Sequence, residues 1–149
     1  MAEPTLPPDF SEFLRLLNAN HVSYLIVGGY AVGFHGHPRA TADIDIWIPM
    51  RRETAQQLVA ALRAFGFDPP QLSTELFLRP DQVVRLGTPP IRIELLTTIA
   101  GVDFDDCYAR ASRTTFDDVE VRVIGLEDLK ANKRAAGRHQ DLADLDHLP

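Results

Sequence analysis

The 149 residues suffice for one domain of ordinary globular make-up, with 45% hydrophobic and 24% charged side chains. The formal net charge of -6 argues against a general nucleic-acid coat or a binder of anionic membranes, both of which need clustered positive charge. A single cysteine, Cys107, leaves no internal disulfide. It reads as a small buried hydrophobe in a chain expected in the cytoplasm.

In chain order, Met1 to Pro8 read as a loose leader with no signal-peptide pattern. Asp9 is the expected N-cap of a first helix, with Glu12 completing a capping box and Phe10, Phe13, Leu14, Leu16 and Leu17 forming its apolar stripe to about Ala19. Tyr24 to Val27 predict a short strand ending at Gly28-Gly29, and Tyr30 to His35 a short helix closed by Gly36 and Pro38. The apolar run Tyr24 to Phe34 is too short to span a membrane. Ala42 to Ile48 alternate as a strand, ended by Pro49. Glu53 to Phe65 have helical spacing and Gly66 as the stop.

Asp68-Pro69-Pro70 reads as a loop. Gln82 to Leu86 and Ile91 to Leu96 predict two strands around Gly87-Thr88-Pro89-Pro90. Phe104 to Ala111 predict a helix. Arg113 to Phe116 and Val119 to Ile124 form a hairpin turning at Asp117-Asp118. The tail holds two helices, Leu126 to Ala136 and Gln140 to Leu148, broken at Gly137. This order predicts a single α/β (α+β) domain over residues 1–149, one mixed sheet covered by helices.

The chemistry centres on Asp43-Ile44-Asp45. Alternation on a strand sends Ile44, Ile46 and Ile48 to the core and leaves both carboxylates on the other face. Two like charges so close repel unless a cation compensates them, and their hard oxygens select magnesium or manganese. On its own a D-x-D strand is more often a solvated face. Glu94, the one acid in Ile91 to Leu96, joins the pair if the two strands are neighbours; three carboxylates can then hold two metals for phosphoryl or nucleotidyl transfer. Gly28-Gly29, at a strand-to-helix junction, permit a close backbone approach to phosphate, or make a tight turn with no ligand.

Val27-Gly28-Gly29, then Asp43-Ile44-Asp45-Ile46, then Glu94 on a separate strand, resembles the polymerase-β-type nucleotidyltransferase superfamily. Arg39 to Asp45 and the tail Leu126 to Leu142 are similar to its small bacterial branch, the minimal and abortive-infection-type nucleotidyltransferases of toxin–antitoxin systems. The resemblance implies a nucleotidyltransferase-like fold. It also implies that Gly28 and Gly29 hold nucleotide phosphates, that Asp43 and Asp45 ligate metal, and that Glu94 ligates metal and helps deprotonate an acceptor hydroxyl. The chain departs from the pattern at Gly29, where many members have serine, and at Glu94, where aspartate is usual.

Lys133 and Arg138 are the expected phosphate contacts of the basic tail, with Arg39 able to reach a phosphate or pair with Asp43. Lys130 and Arg134 read as a solvated helix face. His35 and His37 lack a compact zinc-ligand spacing. Trp47 falls on the face of the aspartates, to stack on a base or pack beneath a helix, and Tyr30 divides similarly. The expectation is transfer of a nucleoside monophosphate from an NTP, ATP foremost, to a hydroxyl of a protein or RNA. The alternative is a nucleotide-binding module that acts as a toxin–antitoxin partner. A metal-dependent nuclease, which has no need of the glycine pair, fits less well.

Overall fold

The computed structural model describes residues 6–38, 40–88 and 91–149. Six strands form one mixed sheet: β1 (Leu25–Val27), β2 (Asp43–Trp47), β3 (Val83–Thr88), β4 (Ile91–Leu96), β5 (Ser112–Phe116) and β6 (Val119–Val123), in the order β3-β4-β2-β1-β6-β5. β2/β4 and β1/β6 pair in parallel and the other neighbours antiparallel. Six helices accompany them among the described residues: α1 (Pro8–Ala19), α2 (Gly28–Phe34), α3 (Arg52–Phe65), α4 (Phe104–Ala109), α5 (Leu126–Ala136) and α6 (His139–His147). The expected single α+β sheet with covering helices is what the chain forms, and every predicted strand and helix is found. A 3-10 turn over Thr74–Leu78, which places Phe77 in the core, is additional.

The core follows the alternation. Ile44, Ile46 and Ile48 are fully buried, and Ile44 faces Ile93 while Ile46 faces Leu95 and Ile26 on the neighbouring strands. Residues directly opposite one another in a sheet share a face, so these pairs build one apolar layer. Phe10, Phe13, Leu14 and Leu17 of α1 and Leu58 and Leu62 of α3 belong to the same cluster. Fully burying each such side chain contributes about 1.5–3 kcal/mol.

Two details at the start of the chain differ from the sequence reading. The N-cap of α1 is Pro7, and Asp9 lies inside the first turn. Proline fits there because the first helical N–H groups need no intrahelical partner, so an early start costs nothing. Leu6, within the expected leader, is buried in the core cluster. At the other end, α5 stops at Gly137, whose φ of +65° places it in the left-handed region that glycine tolerates best. The Asp117-Asp118 turn of the β5–β6 hairpin takes positive φ at both residues, as a two-residue turn of this hand requires.

A candidate nucleotide and metal site on the β2–β4 face

Parallel pairing of β2 with β4 sets Asp43 beside Arg92 and Asp45 beside Glu94. With the isoleucines and Leu95 turned into the core, these four side chains form a polar square on the opposite face. Arg85, opposite Glu94 on β3, borders it. The structure therefore brings together the three acids singled out from sequence. It adds two arginines that the motif did not contain.

The acids are unequally compensated. Arg92 Nη2 donates to Asp43 Oδ2 at 2.9 Å and stands 3.3 Å from Glu94 Oε1. Arg85 Nε donates to the same Glu94 oxygen at 3.1 Å. Among the described residues no arginine forms an ion pair with Asp45. Its neighbour across the strands is the Glu94 carboxylate, and among the described residues its Oδ1 is buried without a partner. Burial first, then the nearness of Glu94, then the charge of Asp43 push the Asp45 carboxyl up to about 7, against a downward pull from Lys133. A group of this kind is short of positive charge.

Gly28 makes the arrangement possible. Its φ is +66°, and a Cβ there would stand 2.1 Å from Asp45 Oδ2. Any side chain would expel the carboxylate. Gly29 is buried, and a Cβ on it would lie 2.8 Å from Thr41 Oγ1. The Thr41 hydroxyl itself donates to the Asp43 carbonyl at 3.1 Å.

The donor chemistry suits a hard divalent cation: three carboxylates, one with an orphaned buried oxygen. Among the described residues, however, no three carboxylate, histidine or thiol side chains are gathered closely enough to hold a metal ion. Arg92 Nη2 stands between Asp43 and Glu94.

The basic residues of the tail divide. Lys133 is buried, with Nζ 3.1 Å from Asp141 Oδ1 and 3.0 Å from Asp144 Oδ2. Its charge still reaches Asp45. Arg138 keeps 78% of its side chain exposed while Nε donates to Asp141 Oδ2 at 2.7 Å. Asp45 and Glu94 also raise its pKa, after the larger effects of Asp141. Lys130 lies 3.7 Å from Glu127 and Arg134 is exposed. Arg39 lies outside the described residues.

The remaining candidates are occupied by packing. Trp47 is buried edge-on to Phe104 of α4, with ring centres 5.1 Å apart, and its indole N–H donates to the Thr97 carbonyl. Tyr30 packs edge-on against Phe10. His35 sits 2.6 Å from the Ile124 carbonyl and His37 stacks on His147. Cys107 is fully buried, and burial in the first place, with Asp128 nearby, pushes its thiol up to about 12. That keeps it protonated and unreactive. Arg92 was the residue to find: it lies two positions before Glu94, so parity alone puts it on the acidic face.

A six-stranded mixed sheet with carboxylates from adjacent parallel strands beside a glycine-bearing strand-to-helix bend is the arrangement of a nucleotidyltransferase domain. The chain belongs to the family described as nucleotidyl transferase of unknown function (DUF2204), whose model matches residues 8–149. Among solved structures it is similar to a Thermotoga maritima protein assigned as a nucleotidyltransferase, TM1012, at 16% identity and TM-score 0.63, covering 96% of this chain and 94% of the other. It is also similar to the lincosamide antibiotic adenylyltransferase LnuA in its lincomycin-bound form, at 14% identity and TM-score 0.55, covering 97% and 96%. A third similar structure is ANT(2")-Ia in complex with adenylyl-2"-tobramycin, at 14% identity and TM-score 0.52, covering 92% and 83%. At these identities the likeness to the solved structures is one of fold. No curated protein sequence matches the chain at a significant level. Among the described residues no helix is long and apolar enough to cross a membrane.

Proposed function

We propose that this protein transfers a nucleoside monophosphate from an NTP, ATP foremost, to a hydroxyl of a protein or RNA in the cytoplasm, with magnesium or manganese. The observation that carries the reading is the meeting of Asp43, Asp45 and Glu94 across one strand pair, with Asp45 Oδ1 buried and unpartnered. The adenylyl group named in two of the similar structures supports the same donor chemistry.

In this reading Asp43, Asp45 and Glu94 would hold the metal, which when bound neutralises triphosphate charge and polarises the reacting phosphate. The acceptor oxygen attacks the α-phosphorus, forming the new P–O bond as the bond to pyrophosphate breaks. The acceptor proton passes to Glu94, the direct neighbour of Asp45 on the adjacent strand. Gly28 makes room for the Asp45 carboxylate at the strand end, and Gly29 continues the bend that the phosphates would follow. Arg138, Lys133 and Arg39 are the residues proposed to offset charge on the departing pyrophosphate.

Incubation with α-labelled ATP and Mg²⁺ or Mn²⁺ in cell lysate tests this. Wild type labels a macromolecule and the Asp43→Asn/Asp45→Asn variant does not. Equal labelling by both would remove the two residues from catalysis. The arginines already seated on Asp43 and Glu94 favour one second reading, a nucleotide-binding module that acts as a toxin–antitoxin partner. ATP binding without any transfer would select it.

A further inference from the structure

We infer that Arg92 is an internal counter-cation that competes with a divalent metal for Asp43 and Glu94, so that loading the site includes release of this side chain. The inference rests on the metal-binding reading above and assigns a residue that reading does not use.

Three observations carry it. The first is position: the β2–β4 register makes Arg92 the direct neighbour of Asp43 on the acidic face, and one guanidinium nitrogen, Nη2, serves both Asp43 Oδ2 and Glu94 Oε1 at 2.9 and 3.3 Å. A cation shared between carboxylates of two strands occupies oxygens that would be needed to hold a metal.

The second is the quality of the grip. Arg110 shows what a committed pair looks like here: Nε and Nη2 take the two oxygens of Asp128 at 3.0 and 2.9 Å. Arg92 engages through one nitrogen and leaves its Nε buried without a partner. Its side chain is 29% exposed, so a path to solvent is open. A fork that could bind bidentately but does not is held loosely and can be displaced.

The third is what Arg92 leaves undone. It reaches two acids and not Asp45, whose Oδ1 stays orphaned. The pocket therefore holds enough positive charge to keep Asp43 and Glu94 in place, and too little to satisfy all three acids. A dication held by these acids would compete with Arg92 for Asp43 and would be served by the Asp45 oxygen that Arg92 does not reach. The displaced guanidinium then has no carboxylate partner and is free for an anion, so metal and triphosphate bind better together than either does alone.

The test is binding of Mn²⁺ alone, followed by electron paramagnetic resonance, to wild type, Arg92→Gln and Arg92→Lys. Asp43→Asn/Asp45→Asn serves as the control. Arg92→Gln binds Mn²⁺ about three- to fivefold more tightly than wild type, the equivalent of one released ion pair, and Arg92→Lys falls between. Mn²⁺ likewise raises the melting temperature of Arg92→Gln more than that of wild type, a readout independent of turnover. Wild type and Arg92→Gln binding Mn²⁺ equally, or the variant more weakly, overturns the role of Arg92 and leaves the metal reading standing. Failure of all forms to bind Mn²⁺, or binding that survives in the double-aspartate control, overturns the metal reading and this inference with it.

Discussion

Replacing Asp45 by asparagine is expected to stabilise the metal-free protein, and to do so increasingly as pH rises. The carboxyl is pushed from 3.8 up to about 7, chiefly by burial and then by Glu94. An acid whose folded pKa exceeds its unfolded one holds its proton longer in the folded state. Between the two values the folded form binds more protons, so stability falls as pH rises, by about 1.4 kcal/mol per pH unit. The loss begins near pH 4 and is complete just above pH 7, where it amounts to roughly 2–4 kcal/mol. The replacing asparagine carries no such charge, and its amide can donate to Glu94 permanently. Urea denaturation of both proteins in EDTA from pH 4.5 to 8.5 measures the difference directly. The variant gains steadily up to about pH 7.5 and then stays level. At pH 8 its melting temperature exceeds that of wild type by roughly 5–15 °C. A difference that does not change with pH, or a variant less stable at pH 8, would refute the account of Asp45 as an under-compensated buried acid.

Two further outcomes follow from the same geometry. Gly28→Ala must adopt a left-handed backbone and place its methyl on Asp45, which costs about 1–2 kcal/mol for the backbone alone; denaturation shows the loss, and Mn²⁺ binding falls with it as the carboxylate is displaced. Lys133→Met leaves Asp141 and Asp144 buried without their ammonium, so the melt should show a loss of about 3–5 kcal/mol, a size that distinguishes a structural lysine from a surface one.

Much of the fold was legible because its signals are local. The alternation through Ile44, Ile46 and Ile48 placed a core face, and glycines at 66 and 137 marked helix ends that the structure keeps. The candidate site was half legible. Parity put Asp43 and Asp45 side by side, while their meeting with Glu94 depended on β2 and β4 being neighbours, which a motif suggests and periodicity cannot supply. Arg92 lies 49 residues from Asp43, and its partner is fixed only by the register of a non-local parallel pair. Lys133 read as an open cation for phosphate because nothing before Gly137 shows that α6 turns back to bury it between two aspartates. The Asp9 cap lost to Pro7 for a related reason: burial of Leu6 extends the ordered chain upstream of the motif.

The shared register of β2 and β4 also limits how such a domain can change over generations. Adding or removing one residue inside β4 would turn Glu94 inward and an aliphatic neighbour outward, spoiling the interior and the chemistry in a single event. Length variation is therefore confined to the connections, and each strand can drift only by substitution. Loss of activity in a descendant would arrive as a replaced carboxylate on an intact scaffold, which leaves a folded protein available for another use.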